Sequence, residues 1–143
     1  MDYTEYILDL LHSQPEMFED AFVKRNTSDD EIMLAEEKLG FQIPDQFKWY
    51  LKEIGHGGCM FEIMGYGLTG RAVFLDETLE KRKLGLPDNV LIIENCDEYY
   101  YCINIEDGSV CTWSPYDDRG LLEMYDDFFE FLEETIQDAI DNY

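Results

Sequence analysis

Bases are scarce in this sequence, and beyond Lys83 there are almost none. Ten Lys and Arg stand against 33 Asp and Glu, a formal net charge of -23, and between Leu84 and Tyr143 the only base is Arg119 against 16 acids. Charge of that sign repels phosphates and anionic headgroups, which argues against direct binding to nucleic acid or membrane. No run approaches the roughly 20 apolar residues needed to span a bilayer. The acidic start Met1-Asp2-Tyr3-Thr4-Glu5 lacks the basic region of a signal peptide, so a cytoplasmic location is expected. Histidine occurs only at His12 and His56. A nucleophilic pair of His56 and Cys59 has no identifiable orienting group or oxyanion hole, and no residue is expected to be catalytic. Of the four cysteines, Cys96, Cys102 and Cys111 are spaced by six and nine, unlike the short paired spacings of zinc ligands. With Cys59 they read as reduced, buried thiols, and no metal or cofactor is expected.

What is present is a core. Over 143 residues, 45% are hydrophobic and 15% aromatic, enough for one folded domain spanning 1-143 and too much for a disordered acidic chain.

The best-determined stretch runs from Ser28 to Gly58. Ser28 followed by Glu31 fits a capping box, and Ile32, Ala35 and Leu39 then share a helical face. Gly40 suits the left-handed exit from that helix, with Phe41 packing back. Pro44 and Asp45 suit the first turn of a second helix, whose apolar face is Phe47, Leu51 and Ile54, with Trp49 and Tyr50 at its margins. Gly55, Gly57 and Gly58 end it.

Ile32, Glu36-Glu37, Leu39-Gly40, Ile43-Pro44 and Gly57-Gly58 together resemble the signature of the SMI1/KNR4 family, also called SUKH. The resemblance implies an α+β fold. It also implies that a bacterial member is an immunity protein against a nuclease toxin, whereas fungal relatives act as non-enzymatic regulators of cell-wall synthesis. Trp113 near the end of a strand, followed by a polar loop and a terminal helix, is similar to the family as well.

The other elements follow from local signals. Tyr6, Ile7, Leu10 and Leu11 form a helical stripe, and Ser13-Gln14-Pro15-Glu16 a break with a new cap. Phe18, Phe22 and Val23 fit a short helix or an extended piece equally. Cys59 to Met64 reads as a strand. It leads into Gly65-Tyr66-Gly67-Leu68-Thr69-Gly70, a literal G-x-G-x-x-G in the wrong context for a dinucleotide site, because helices precede it and Arg71 to Leu75 reads as extended. Asp76 to Lys83 is expected to be helical. Val90 to Asn95, Tyr99 to Ile105 and Val110 to Ser114 read as strands whose short connections force antiparallel pairing. Leu121 to Ile140 reads as one terminal helix. The expected fold is therefore α+β: a mainly antiparallel sheet of about four to six strands, with helices before and after it.

The uneven charge suits attraction of a basic partner, chiefly through faster encounter. On charge alone the expected contact surface comprises Asp97, Glu98, Asp117, Asp118, Glu123, Asp126, Asp127 and Glu130, with Tyr99 and Tyr116 as aromatic anchors. Leu39, Gly40, Pro44, Phe47, Gly57, Gly58 and Trp113 are expected to be structural. The expected partner is the basic nuclease domain of a cognate toxin, with the chain itself a monomer or weak dimer. The alternative is a regulatory or scaffold module that binds something else.

Overall fold

The computed structural model describes residues 2-143; Met1, the first residue of the acidic start, lies outside them. The elements run α1 (Tyr3–His12), α2 (Pro15–Phe18), β1 (Phe22–Val23), α3 (Asp29–Leu39), α4 (Asp45–Glu53), β2 (His56–Gly57), α5 (Val73–Arg82), β3 (Val90–Asn95), β4 (Tyr100–Asn104), β5 (Val110–Trp113), β6 (Leu122–Tyr125) and α6 (Phe128–Asn142). β3-β4-β5-β6 form an antiparallel meander, and β1 pairs with β2 in a two-stranded sheet. Ile63 links the two sheets, bridging Gly57 on one side and Glu94 on the other. The α+β expectation is met.

The helical hairpin forms as its caps dictate. Glu31 N donates to Ser28 Oγ at 3.2 Å, and Ser28 N donates to the Glu31 carboxylate at 3.3 Å. Gly40 exits α3 at φ +83, a conformation that costs an L-residue but not glycine. Pro44 takes the N-cap position of α4 with extended ψ, one residue before the first helical turn. Ser28→Ala should remove one acceptor from the start of α3 and lower stability by about 1 kcal/mol, read by urea denaturation. Tyr50, expected at the margin of α4, is instead fully buried, because its hydroxyl donates to Ile63 O at 2.7 Å.

Neighbouring residues of a strand face opposite sides of a sheet. The Lys81 ammonium of α5 lies 5.2 Å from the centre of the Tyr100 ring, whereas Phe131 of α6 packs on Tyr101 at 4.9 Å. The two helices thus approach β4 from opposite faces. Trp113 is buried beside Tyr100.

Three expectations are corrected. Leu121 to Ile140 is not one helix: Leu122–Tyr125 is a strand paired with β5, and α6 begins only after Asp127, whose carboxylate accepts from Glu130 N at 2.9 Å. Tyr125 falls in step with the helical stripe of Phe128 and Leu132, but in the fold it packs on Phe131 from the strand. Cys59 to Met64 is not a strand apart from the bridge at Ile63, because Met60 turns through φ +68 and Phe61 folds back toward Phe22 at 6.1 Å. Val73 to Leu75 is not extended but opens α5, since a short apolar run lacks a distinguishable period. Phe74, Leu75 and Thr78 are buried at helical spacing.

The glycine string before α5 serves close packing. A Cβ on Gly65 would meet Gly55 O at 2.2 Å, so only glycine fits there. Gly65 N donates to His56 Nδ1 at 2.8 Å, which makes His56 a keyed residue of β2 instead of the simple loop residue its neighbours imply. Burial lowers the His56 pKa, opposed by the carboxylate of Glu62. The unfolded chain therefore takes up the proton first. This contribution to stability is complete above the ordinary value of 6.5 and is lost as pH falls through that value toward the lower folded one. Wild-type chain should lose stability relative to His56→Asn between neutral pH and about pH 5 in parallel urea titrations. A constant difference would contradict the keyed imidazole.

Candidate partner-binding surface

Two turns are tied together at one end of the meander. Asp97 sits at φ +67, and its N–H donates to Asn95 Oδ1 at 2.7 Å, a short polar side chain stabilising a tight turn. The Ser114 hydroxyl donates to Glu98 O at 2.7 Å and accepts from Tyr116 N at 3.1 Å. Ser114 is buried and clamps the loop after β5 to the turn before β4. The clamp brings Glu98 and Tyr99 beside Tyr116 and Asp117, residues some 17 positions apart in the chain.

Between them lies a concavity of ≈ 610 Å³ on β4, β5 and β6. Tyr99, Tyr101, Thr112, Leu122 and Met124 line it, and Glu98, Tyr116, Asp117 and Arg119 rim it. Tyr99 meets Tyr101 edge to face at 5.7 Å, and Tyr101 continues the aromatic row to Phe131 in the core. The floor is therefore anchored in rigid structure, although Tyr116, Leu122 and Met124 are exposed. Exposed apolar and aromatic groups gathered in one place mark a contact surface better than the same groups scattered singly.

Of the acids and aromatics expected from charge, Glu98, Tyr99, Tyr116 and Asp117 meet at this concavity. Asp97 and Asp118 are exposed in the two turns that form it, Glu123 lies on β6 between Leu122 and Met124, and Asp126 follows that strand. Glu130 is exposed on the first turn of α6. Asp127 is committed to capping α6 and half-buried, so it stands apart from the free acids. Sequence reasoning missed Tyr101, Thr112, Leu122 and Met124. Leu122 and Met124 alternate with Glu123 in the period of a strand, but the helical reading of that stretch concealed it.

Ion pairing partitions the charge. Arg25–Glu31, Lys48–Glu36, Lys52–Asp29, Arg71–Asp76 and Lys81–Glu77 all fall in the base-containing part of the chain. Beyond residue 84 the one ion pair among the described residues is Arg119–Asp117, at 2.8 Å. It holds the Asp117 carboxyl below the usual range. Asp97, Glu98, Asp118, Glu123, Asp126 and Glu130 have no salt-bridge partner among the described residues.

The cysteines and the buried carboxylate give the remaining chemistry. Burial pushes the Cys96 thiol up to about 11 and raises Cys102 and Cys111 as well, so these thiols stay protonated at neutral pH. Glu94 is buried and accepts from Glu62 N at 3.0 Å, and its desolvation raises its pKa. Among the described residues no group of three or more His, Cys, Asp or Glu is arranged to hold a metal ion. No helix there is long and apolar enough to cross a membrane.

An antiparallel meander flanked by helices, with an anionic and aromatic concavity at its open end, defines a small α+β domain. The chain belongs to the SMI1/KNR4 (SUKH) family: a family model described as SMI1-KNR4 cell-wall matches residues 5–137. Among solved structures it is similar to a protein from Pseudomonas syringae pv. tomato, at 20% identity and a TM-score of 0.67, covering 91% of this chain and 98% of that one. At that identity the likeness is one of fold.

Proposed function

We propose that this chain is an immunity protein, an antitoxin of the cytoplasm that binds and neutralises a cognate bacterial nuclease toxin without chemistry of its own. The observation that carries the reading is the partition of charge. Of the acids around the β4-β5-β6 concavity only Asp117 has a cationic partner among the described residues, Arg119, while the other Lys and Arg that form ion pairs are matched to acids elsewhere in the fold. A nuclease grips phosphates with a basic cleft, and a rigid surface of unpaired carboxylates competes for that cleft. Exposed Tyr99 and Tyr116 offer anchors whose burial adds affinity to the electrostatic attraction.

The test is reconstitution. Purified chain mixed with candidate toxin nuclease domains is expected to elute as a stoichiometric complex with its cognate one and to protect nucleic acid from cleavage. No complex and no protection across toxins encoded beside this chain would refute the reading. The family description, SMI1-KNR4 cell-wall, favours a second reading as a regulatory or scaffold module. That reading predicts a complex with a partner that has no nuclease activity.

A further inference from the structure

The four-stranded sheet ends differently at its two edges. At β3, Met64 N donates to Ile93 O at 2.8 Å, Ile92 N donates to Thr78 Oγ1 at 2.9 Å, and Glu62 N donates to the Glu94 carboxylate at 3.0 Å. That edge is closed by the 62–64 segment and α5. At β6, Leu122–Tyr125 pair with β5, and among the described residues no other element gives this strand a backbone hydrogen bond. Leu122 and Met124 on the open strand are 40% and 52% exposed, and both line the tyrosine concavity.

We propose that β6 is the docking edge for an extended, basic segment of the partner, which adds as a fifth strand and lays alternate side chains along Leu122, Met124 and the tyrosine floor. Strand addition supplies affinity through main-chain hydrogen bonds and specificity through every second side chain. Lysines or arginines of the incoming segment meet Glu123 on the edge strand and Asp126 just after it, with Glu98 across the concavity; none of the three has an ion pair among the described residues. The rim already accommodates one guanidinium, that of Arg119 against Asp117. A second copy of this chain is a poor occupant. Each copy carries -23, and edge-to-edge pairing would set Glu123 against its equivalent. The inference rests on the reading of the partner as a basic protein and adds how it binds.

Hydrogen exchange on the wild-type chain tests it, with a capped octapeptide of alternating arginine and valine as the probe. At saturating peptide the outward amides of Leu122–Tyr125 should exchange at least tenfold more slowly. A peptide with glutamate for arginine, and one N-methylated along its pairing edge, should leave them unchanged. Protection by the N-methylated peptide, protection confined to α6, or no protection overturns strand addition. Protection without peptide, accompanied by sedimentation as a dimer, overturns it in favour of a second copy. The same amides measured in a nuclease complex separate the two claims. Tight nuclease binding with unchanged β6 exchange removes the strand and keeps the immunity reading, whereas peptide protection without any nuclease binding does the reverse.

Discussion

Phe47→Ala is expected to lower the free energy of unfolding by about 3–5 kcal/mol, the cost of deleting a fully buried aromatic that its surroundings cannot refill. Phe47 has 0% exposure, and its ring lies 5.7 Å from Tyr50, 5.6 Å from Phe74 and 5.3 Å from Phe128. It thus joins α4 to α5 and α6, three elements with few direct backbone ties. Two of the three contacts are edge to face, the geometry that adds to simple area burial. A domain of this size has roughly 5–15 kcal/mol in all, so the variant should be marginal at 37 °C. Urea denaturation with an unchanged m-value measures it. A loss under about 1 kcal/mol would mean that the α4–α5–α6 packing is not as described.

The second large effect concerns association. Reversing Glu98, Asp118, Glu123 and Asp126 to lysine should slow binding of the proposed nuclease partner by roughly ten- to a hundredfold at low salt and flatten its salt dependence. The four side chains are exposed and form no salt bridge among the described residues, so stability should change by no more than about 0.5 kcal/mol per site. The comparison that isolates this surface is an equal reversal of Glu16, Glu19, Asp20 and Glu37, exposed acids of the N-terminal helices and their loops. That variant has the same net charge but leaves the concavity intact. Stopped-flow association should distinguish the two, because Coulomb attraction through water fades within about 10 Å at ordinary ionic strength. Equal slowing in both would assign the effect to total charge and remove the concavity from the account.

Much of the fold is legible in the sequence. Ser28, Glu31, Gly40 and Pro44 act through hydrogen bonds and dihedral limits that reach only a few residues, so the α3–α4 hairpin is written in its own stretch. The same holds for the β4–β5 turn, where Ser109 N donates to Asp107 Oδ1 and Gly108 takes φ +78. The absence of bases after residue 84, other than Arg119, follows from counting.

Long-range contacts decided the rest. Leu122 to Tyr125 satisfies a helical and a strand period equally over four residues, and only pairing with β5, together with the commitment of Asp127 to the cap of α6, resolves it. Val73 to Leu75 becomes helix because Thr78 one turn later accepts from Ile92 N and ties α5 to the edge of β3. The concavity joins side chains of three paired strands to two loops that the Ser114 hydroxyl sets side by side by reaching Glu98 O across 16 positions. Composition and capping thus determined the charge, the class of fold and the local turns. The open edge and the surface beside it came from tertiary structure, since strand pairing and loop docking join residues whose sequence neighbourhoods carry no information about one another.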